Sequence, residues 1–147
     1  MPKLYDKLWS HLVEPELKSP TFVCHHPTCM SPLARPQLQR PHLAERFELF
    51  VGGMELINAY SELNDPAAQR RAFERGQEAM PPGGRIKNPL EEDFVAALES
   101  GLPPTAGWGL GIDRLVMILT GARSIRDVIL FPTMKPIETN SDKPETR

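Results

Sequence analysis

Three groups of residues in this sequence have types and spacings that suit chemistry. The first lies around Gly52-Gly53, where Glu48 and Glu55 flank a dipeptide able to supply the positive φ angles of a tight hairpin turn. Such a turn sets the two strands side by side, and facing carboxylates repel unless positive charge lies between them. A hard divalent cation such as Mg²⁺, with phosphate oxygens on its open positions, relieves that repulsion. Exposure of both acids to water relieves it equally well. The second group is Asn58, Tyr60 and Glu62, which alternate and therefore share one face of a strand. An amide, an aromatic ring and a carboxylate together suit an ammonium group through charge pairing and cation–π attraction. An exposed polar face on a half-buried strand gives the same pattern. The third group is "GWGLGIDRL", residues 107–115. Glycines at 107, 109 and 111 let a flat ligand or another backbone come close. Arg114, in the first turn of a following helix, adds its charge to the positive helix end, an arrangement that takes phosphate. Packing of strand against helix, with Arg114 paired to an acid, explains the same residues.

Parity sets a condition on the first two groups. In an unbroken strand Glu55 points away from Asn58, Tyr60 and Glu62, because side chains alternate. If all four line one site, a β-bulge must fall between Glu55 and Asn58.

A fourth stretch, "CHHPTC", looks like a metal site, but its spacing argues otherwise. Cys24 and Cys29 are the two cysteines of the chain, and no second ligand pair lies a finger's length away. The expectation is a strand, "TFVCH", ended by a His-Pro turn, with no zinc at Cys24 or Cys29.

The elements that must position these residues can be read from periodicity and caps. Leu4, Leu8 and Leu12 mark one face of a short helix that Pro15 ends. The runs on either side of Gly52-Gly53 read as strands. Asp65 and Pro66 cap and open a helix over "AAQRRAFERGQEAM". Residues 81–88 read as a mobile loop. Asn88 and Pro89 repeat the cap signal before an apolar stripe of Leu90, Phe94, Ala97 and Leu98, with Gly101 as a left-handed end. A further helix runs from about Asp113 to Gly121, and "SIRDVILFP" reads as a capping-box turn followed by a buried strand or its approach. The pattern is α+β, an antiparallel sheet flanked by helices, without the βαβ alternation of a dinucleotide fold.

Bulk properties narrow the classes further. A chain of 147 residues with 40% hydrophobic content can build a core. Its net charge of −2 leaves no overall basic footprint for nucleic acid or an anionic membrane. Two cysteines suit free thiols in a reducing compartment, so the cytoplasm, or an organelle, is the expected setting, with no membrane partner.

With these residues in view, the chain resembles a known family. "GLGIDRL" resembles motif 3 of the class II aminoacyl-tRNA synthetases. "ERFELFVGGMELINAYSELNDP", "HPTCMSPLAR", "GLPPTAGWG" and "LFPTMKP" resemble segments of the lysine-specific members, in the same order. The resemblance implies that Glu48 and Glu55 hold the Mg²⁺ that binds ATP. It implies that Glu55, Leu56, Gly109, Gly111, Ile112, Asp113 and Arg114 line the nucleotide site, with Arg114 as the catalytic cation on the γ-phosphate. Asn58 and Tyr60 would contact substrate lysine, and Glu62 would accept its ε-ammonium. ATP, L-lysine and the lysine tRNA are the implied partners, with a homodimer or a complementing synthetase chain. At the position of His25 the family usually carries aspartate.

Family members place an anticodon-binding barrel, motif 1 and motif 2 ahead of these segments, and none is visible in the sequence. Residues 1–136 are therefore expected to be the C-terminal part of the catalytic domain and 137–147 a flexible tail, the whole inactive by itself. Two other readings fit the residues. One is a non-catalytic paralogue that binds a partner through an open sheet edge. The other is the related ligase that attaches lysine to elongation factor P, which usually has alanine at the position of Gly109 and lacks an ending like "FPTMKP".

Overall fold

The computed structural model describes residues 2–78 and 89–133. The expected loop at 81–88, the Asn88 cap, the Leu90 side chain and the tail at 137–147 lie outside the described residues. The chain divides into two units, residues 1–111 and 112–147.

The first unit is built on a four-stranded antiparallel meander, β1 (Thr21–Cys24), β2 (Arg46–Val51), β3 (Met54–Ser61) and β4 (Ala106–Leu110), in that spatial order. β2 and β3 turn at Gly52-Gly53, whose φ angles of 60° and 76° only glycine adopts without strain. On β3 the ladder slips. Leu49 pairs Ile57 but Phe50 pairs Glu55, so Leu56 is an extra residue. This is the bulge that shared use of Glu55 and Asn58 requires. β4, the glycine-rich strand, pairs β3 with Tyr60 opposite Gly107 and Asn58 opposite Gly109.

Before the sheet comes α1 (Pro2–Leu12), continued by a single 3-10 turn at Glu14–Glu16. Here the structure corrects the sequence reading. Leu4, Leu8 and Leu12 are exposed, and Trp9 is the residue packed on the sheet, its ring edge-on to Phe50 at 6.3 Å and to His26 at 6.5 Å. The indole buries more apolar area than any of the leucines and decides which side of α1 faces inward.

After β3, α2 (Pro66–Glu78) starts as predicted, with Asp65 Oδ1 accepting from the Ala68 amide at 3.0 Å. α2 packs on α3 (Pro89–Glu99) through the edge-on rings of Phe73 and Phe94, 6.1 Å apart. The buried residues of α3 are Val95 and Leu98, whereas Ala97 and Phe94 are exposed, so the inward stripe is rotated from the one predicted. Gly101 ends this segment at φ 103°. Gln69 on α2 is fully buried and donates Nε2 to the Pro32 carbonyl at 3.1 Å, tying the helix to the loop between β1 and β2. Arg35 pins the same loop with two bonds to Glu45 Oε2, at 2.8 and 3.0 Å, and these hold the Glu45 carboxyl below its usual range.

The second unit contains α4 (Ile112–Thr120). Gly121, at φ 70°, ends it in a Schellman turn in which the Ala122 amide reaches the Met117 carbonyl at 3.1 Å. Ser124 caps a short 3-10 turn, Ile125–Asp127, as expected, but no strand follows it among the described residues. Leu130 and Phe131 are 90% and 92% exposed, and none of the described strands pairs with them. An apolar run becomes a strand only where a neighbour takes its hydrogen bonds.

Phe50, 1% exposed and packed against Trp9, is one of the largest fully buried side chains and lies on the face of the candidate site, opposite Glu55. Phe50→Ala is expected to cost about 3–5 kcal/mol, read as a lowered midpoint in urea unfolding.

Candidate active site

The ladder pairs Arg46 with Tyr60, Glu48 with Asn58 and Phe50 with Glu55, so these residues share one face of the sheet. Without the extra Leu56, Glu55 would lie on the other face. Gly107 and Gly109 belong to the same face through their pairing with Tyr60 and Asn58.

Arg46 joins the groups on that face. Its Nε donates to Asn58 Oδ1 at 3.1 Å, and Nη1 donates to the Met30 carbonyl at 3.2 Å and to Ser31 Oγ at 3.0 Å. Nη2 donates to Glu48 Oε1 in a short ion pair. Glu48 is 7% exposed, and burial pushes its carboxyl above the usual carboxylate range. Arg46 opposes that rise, while the charges of Glu14 and Asp6 add to it. His26 Nε2 lies 3.6 Å from the other Glu48 oxygen, is buried and makes no hydrogen bond. Burial, and then the charge of Arg46, lower the His26 pKa, which favours the neutral ring.

Two cavities open on either side of Arg46. One, of about 230 Å³, is lined by Trp9, Glu14, His26, Arg46, Glu48 and Glu55. The other, of about 190 Å³, is lined by Ser31, Pro32, Arg46, Asn58 and Tyr60. The first has two carboxylates from the hairpin, a third from Glu14 in the turn after α1 and a fourth from Asp6 on α1. No group of three or more His, Cys, Asp or Glu among the described residues is arranged as a protein cage for a metal. This donor set fits Mg²⁺, which is held by one or two carboxylates and otherwise by water and phosphate oxygens. Arg46 also supplies positive charge that the spacing of Glu48 and Glu55 had suggested a cation must bring. In the second cavity Arg46 occupies Asn58 Oδ1, so Asn58 offers a ligand its two N–H donors. Burial, followed by the charge of Glu62, raises the Tyr60 pKa, consistent with a carboxylate close to the phenol.

The remaining candidate residues distribute as follows. Leu56 is buried and its carbonyl accepts from the Gly111 amide at 3.0 Å. A Cβ on Gly109 would meet nothing within 4 Å, so the surface above β4 there is open. Ile112, Asp113 and Arg114 form the first turn of α4 in the second unit and are exposed. Cys24 ends β1 and Cys29 lies in a 3-10 turn, both free thiols. His25 Nδ1 is 2.6 Å from Gln37 Nε2, while His26 packs against Trp9. Arg46 and Ser31 were not among the residues singled out from sequence, and His26 entered there only as part of the "CHHPTC" stretch. Arg46 had a signal, since its parity with Glu48 in "RFE" puts it on the acidic face.

The model of the class II tRNA synthetases (D, K and N) matches residues 7–135. The chain belongs to that family. Within it, the chain is 52% identical over 136 residues to a probable cytoplasmic lysine–tRNA ligase of Encephalitozoon cuniculi, covering 92% of this chain and 27% of the relative. It is 51% identical over 140 residues to the lysine–tRNA ligase of Aliarcobacter butzleri, covering 95% of this chain and 28% of that protein. A Helicobacter pylori lysine–tRNA ligase is 49% identical over 138 residues, again with 28% of its length covered. The chain thus spans little more than a quarter of the length of these synthetases. No helix among the described residues is long and apolar enough to cross a membrane.

The Arg46–Glu48 pair is 16% and 10% exposed at its side chains. Arg46→Ala leaves a buried carboxylate without its partner and is expected to cost about 3 kcal/mol in urea unfolding. Replacing both partners, Arg46→Met with Glu48→Leu, should recover most of that loss, because no buried charge remains.

Proposed function

We propose that this chain forms the Mg·ATP and lysine side-chain wall of a lysine–tRNA ligase active site. The observation that carries the reading is the Leu56 bulge, which puts Glu55 on the face that holds Glu48, Asn58 and Tyr60. Relatives named as lysine–tRNA ligases, at 49–52% identity, support it. In this reading Glu48 and Glu55 hold Mg²⁺, whose role is to neutralise and orient the phosphates of ATP. Leu56, Gly109, Gly111, Ile112 and Asp113 line the nucleotide, and Arg114 engages its γ-phosphate. Tyr60 flanks the lysine side chain, Glu62 accepts the ε-ammonium, and Asn58 donates its N–H groups to an oxygen of the substrate. A carboxylate placed for three N–H donors rejects an amino acid that cannot supply them, since it is then left unpaired.

The reaction has two steps. A lysine carboxylate oxygen attacks the α-phosphorus of ATP, the bond to the β-phosphate oxygen breaks, and pyrophosphate leaves. A ribose hydroxyl at the tRNA end then attacks the lysyl carbonyl carbon, loses its proton, and AMP departs. Positioning and charge neutralisation carry most of such a reaction. The 147 residues contain no segment resembling motif 2, which in the family supplies the arginine on the α-phosphate. The chain mixed with ATP, lysine and tRNA is therefore expected to form no lysyl-tRNA. A homodimer or a complementing synthetase chain is the proposed partner, and the cytoplasm the proposed compartment.

The test is a chimaera in which residues 1–136 replace the matching segment of the Helicobacter pylori ligase. It should charge tRNA with lysine, and Glu62→Gln within it should lower kcat/KM for lysine by roughly 100-fold to 1,000-fold with little change in KM for ATP. A folded chimaera that charges nothing, or charges another amino acid, would refute the reading.

A second reading is favoured by the opposite face of the sheet. Phe22 and Trp108 are exposed there, and a cavity of about 660 Å³ is walled in part by Phe47, Ala59 and Trp108. A non-catalytic module docking through that face would co-purify with a partner and show no shift on addition of Mg·ATP or lysine.

A further inference from the structure

Gly107 sits in β4 directly opposite Tyr60, on the face that carries the candidate site. The Glu62 amide bonds the Thr105 carbonyl at 2.9 Å, which anchors the residue at the end of the β3–β4 ladder. Its side chain leans from there diagonally across to Gly107. A Cβ built on Gly107 would overlap Glu62 Oε1, closer than any real Cβ approaches an oxygen, with Glu62 Cδ at 3.4 Å. Two residues along the strand, a Cβ on Gly109 would meet nothing within 4 Å. Gly107 has no positive φ, so its backbone does not require glycine. What requires glycine is the carboxylate lying over it.

We infer that Gly107 is a positioning residue for substrate recognition, whose missing side chain is the berth that holds the Glu62 carboxylate beside Tyr60. The inference rests on the reading of Glu62 as the acceptor of the lysine ammonium. Any side chain at 107 takes the volume that Oε1 occupies. Glutamate has three rotatable side-chain bonds, so the carboxylate swings aside and the fold is spared. The amine then loses a charge-assisted acceptor whose direction had been set by β4. Because Gly107 faces Tyr60 and not the Glu48–Glu55 end of the hairpin, the nucleotide half of the site is untouched.

This separation makes the inference testable on the chain itself. The ¹⁵N-labelled chain, its Gly107→Ala variant and its Glu62→Gln variant are titrated with L-lysine and, separately, with Mg·ATP, followed by amide chemical shifts. Melting temperatures are measured alongside, and the Gly107→Ala variant is crystallised. The expected result is a melting temperature within a few degrees of the parent, a Glu62 carboxylate displaced from β4, and lysine affinity lowered at least tenfold in both variants. Affinity for Mg·ATP should change less than twofold. Lysine affinity retained in Gly107→Ala but lost in Glu62→Gln would overturn the positioning role while leaving the site assignment intact. A parent chain that binds no lysine would count against the assignment of Glu62, and the crystal structure then decides the berth. If the methyl group introduced by Gly107→Ala is accommodated with the carboxylate still in place, Gly107 does not position it.

Discussion

One extra residue in β3 governs the arrangement of charge in this protein. Leu56 has no counterpart on β2, and its insertion turns Glu55 onto the face of Glu48, Asn58 and Tyr60. The cost is a break in the ladder, offset in part because the Leu56 carbonyl finds the Gly111 amide and its side chain is buried. Bulges recur where a strand must re-aim a side chain, and here the re-aimed side chain is a carboxylate. Were the strand regular, the acids would lie on opposite faces and no single cation could reach both.

Bringing acids together creates an electrostatic problem that the same face resolves. Arg46 spans the gap between Glu48 and Asn58 and also holds the Met30–Ser31 turn, so one guanidinium neutralises a buried carboxylate, orients an amide and fixes a loop. Its planar fork of donors makes this possible, and lysine could not reproduce it. Burial, with the neighbouring charges of Glu14 and Asp6, raises the Glu48 pKa against the pull of Arg46. Beside it, burial and then the charge of Arg46 lower the His26 pKa, which favours the neutral ring. The site is therefore organised as an acidic end and an amide-and-phenol end, with Arg46 between them.

Much of this was legible in the sequence because it depends on local rules. Asp65-Pro66 announces a helix start, Gly52-Gly53 a hairpin, and Gly121 a helix end, each through the backbone angles or hydrogen bonds of a few neighbouring residues. Strand parity alone made the bulge a condition of a shared site. The errors arose where a long-range contact decides. The Leu4–Leu8–Leu12 stripe has helical spacing but lost to Trp9, whose partner, Phe50, is distant in sequence. The inward side of α3 was set by its packing on α2, and "VILFP" pairs with none of the described strands.

The sequence by itself determined the family, the hairpin, the alternation of candidate residues and the need for a bulge, since periodicity and turn chemistry act over a few positions. Tertiary structure alone decided that Arg46 also reaches Asn58 and the Met30–Ser31 turn, that the His26 ring packs edge-on to Trp9, and that the Glu62 carboxylate lies over Gly107. Those three contacts depend on how the sheet, α1 and the loop over the sheet pack together. No local pattern records which side chains meet there.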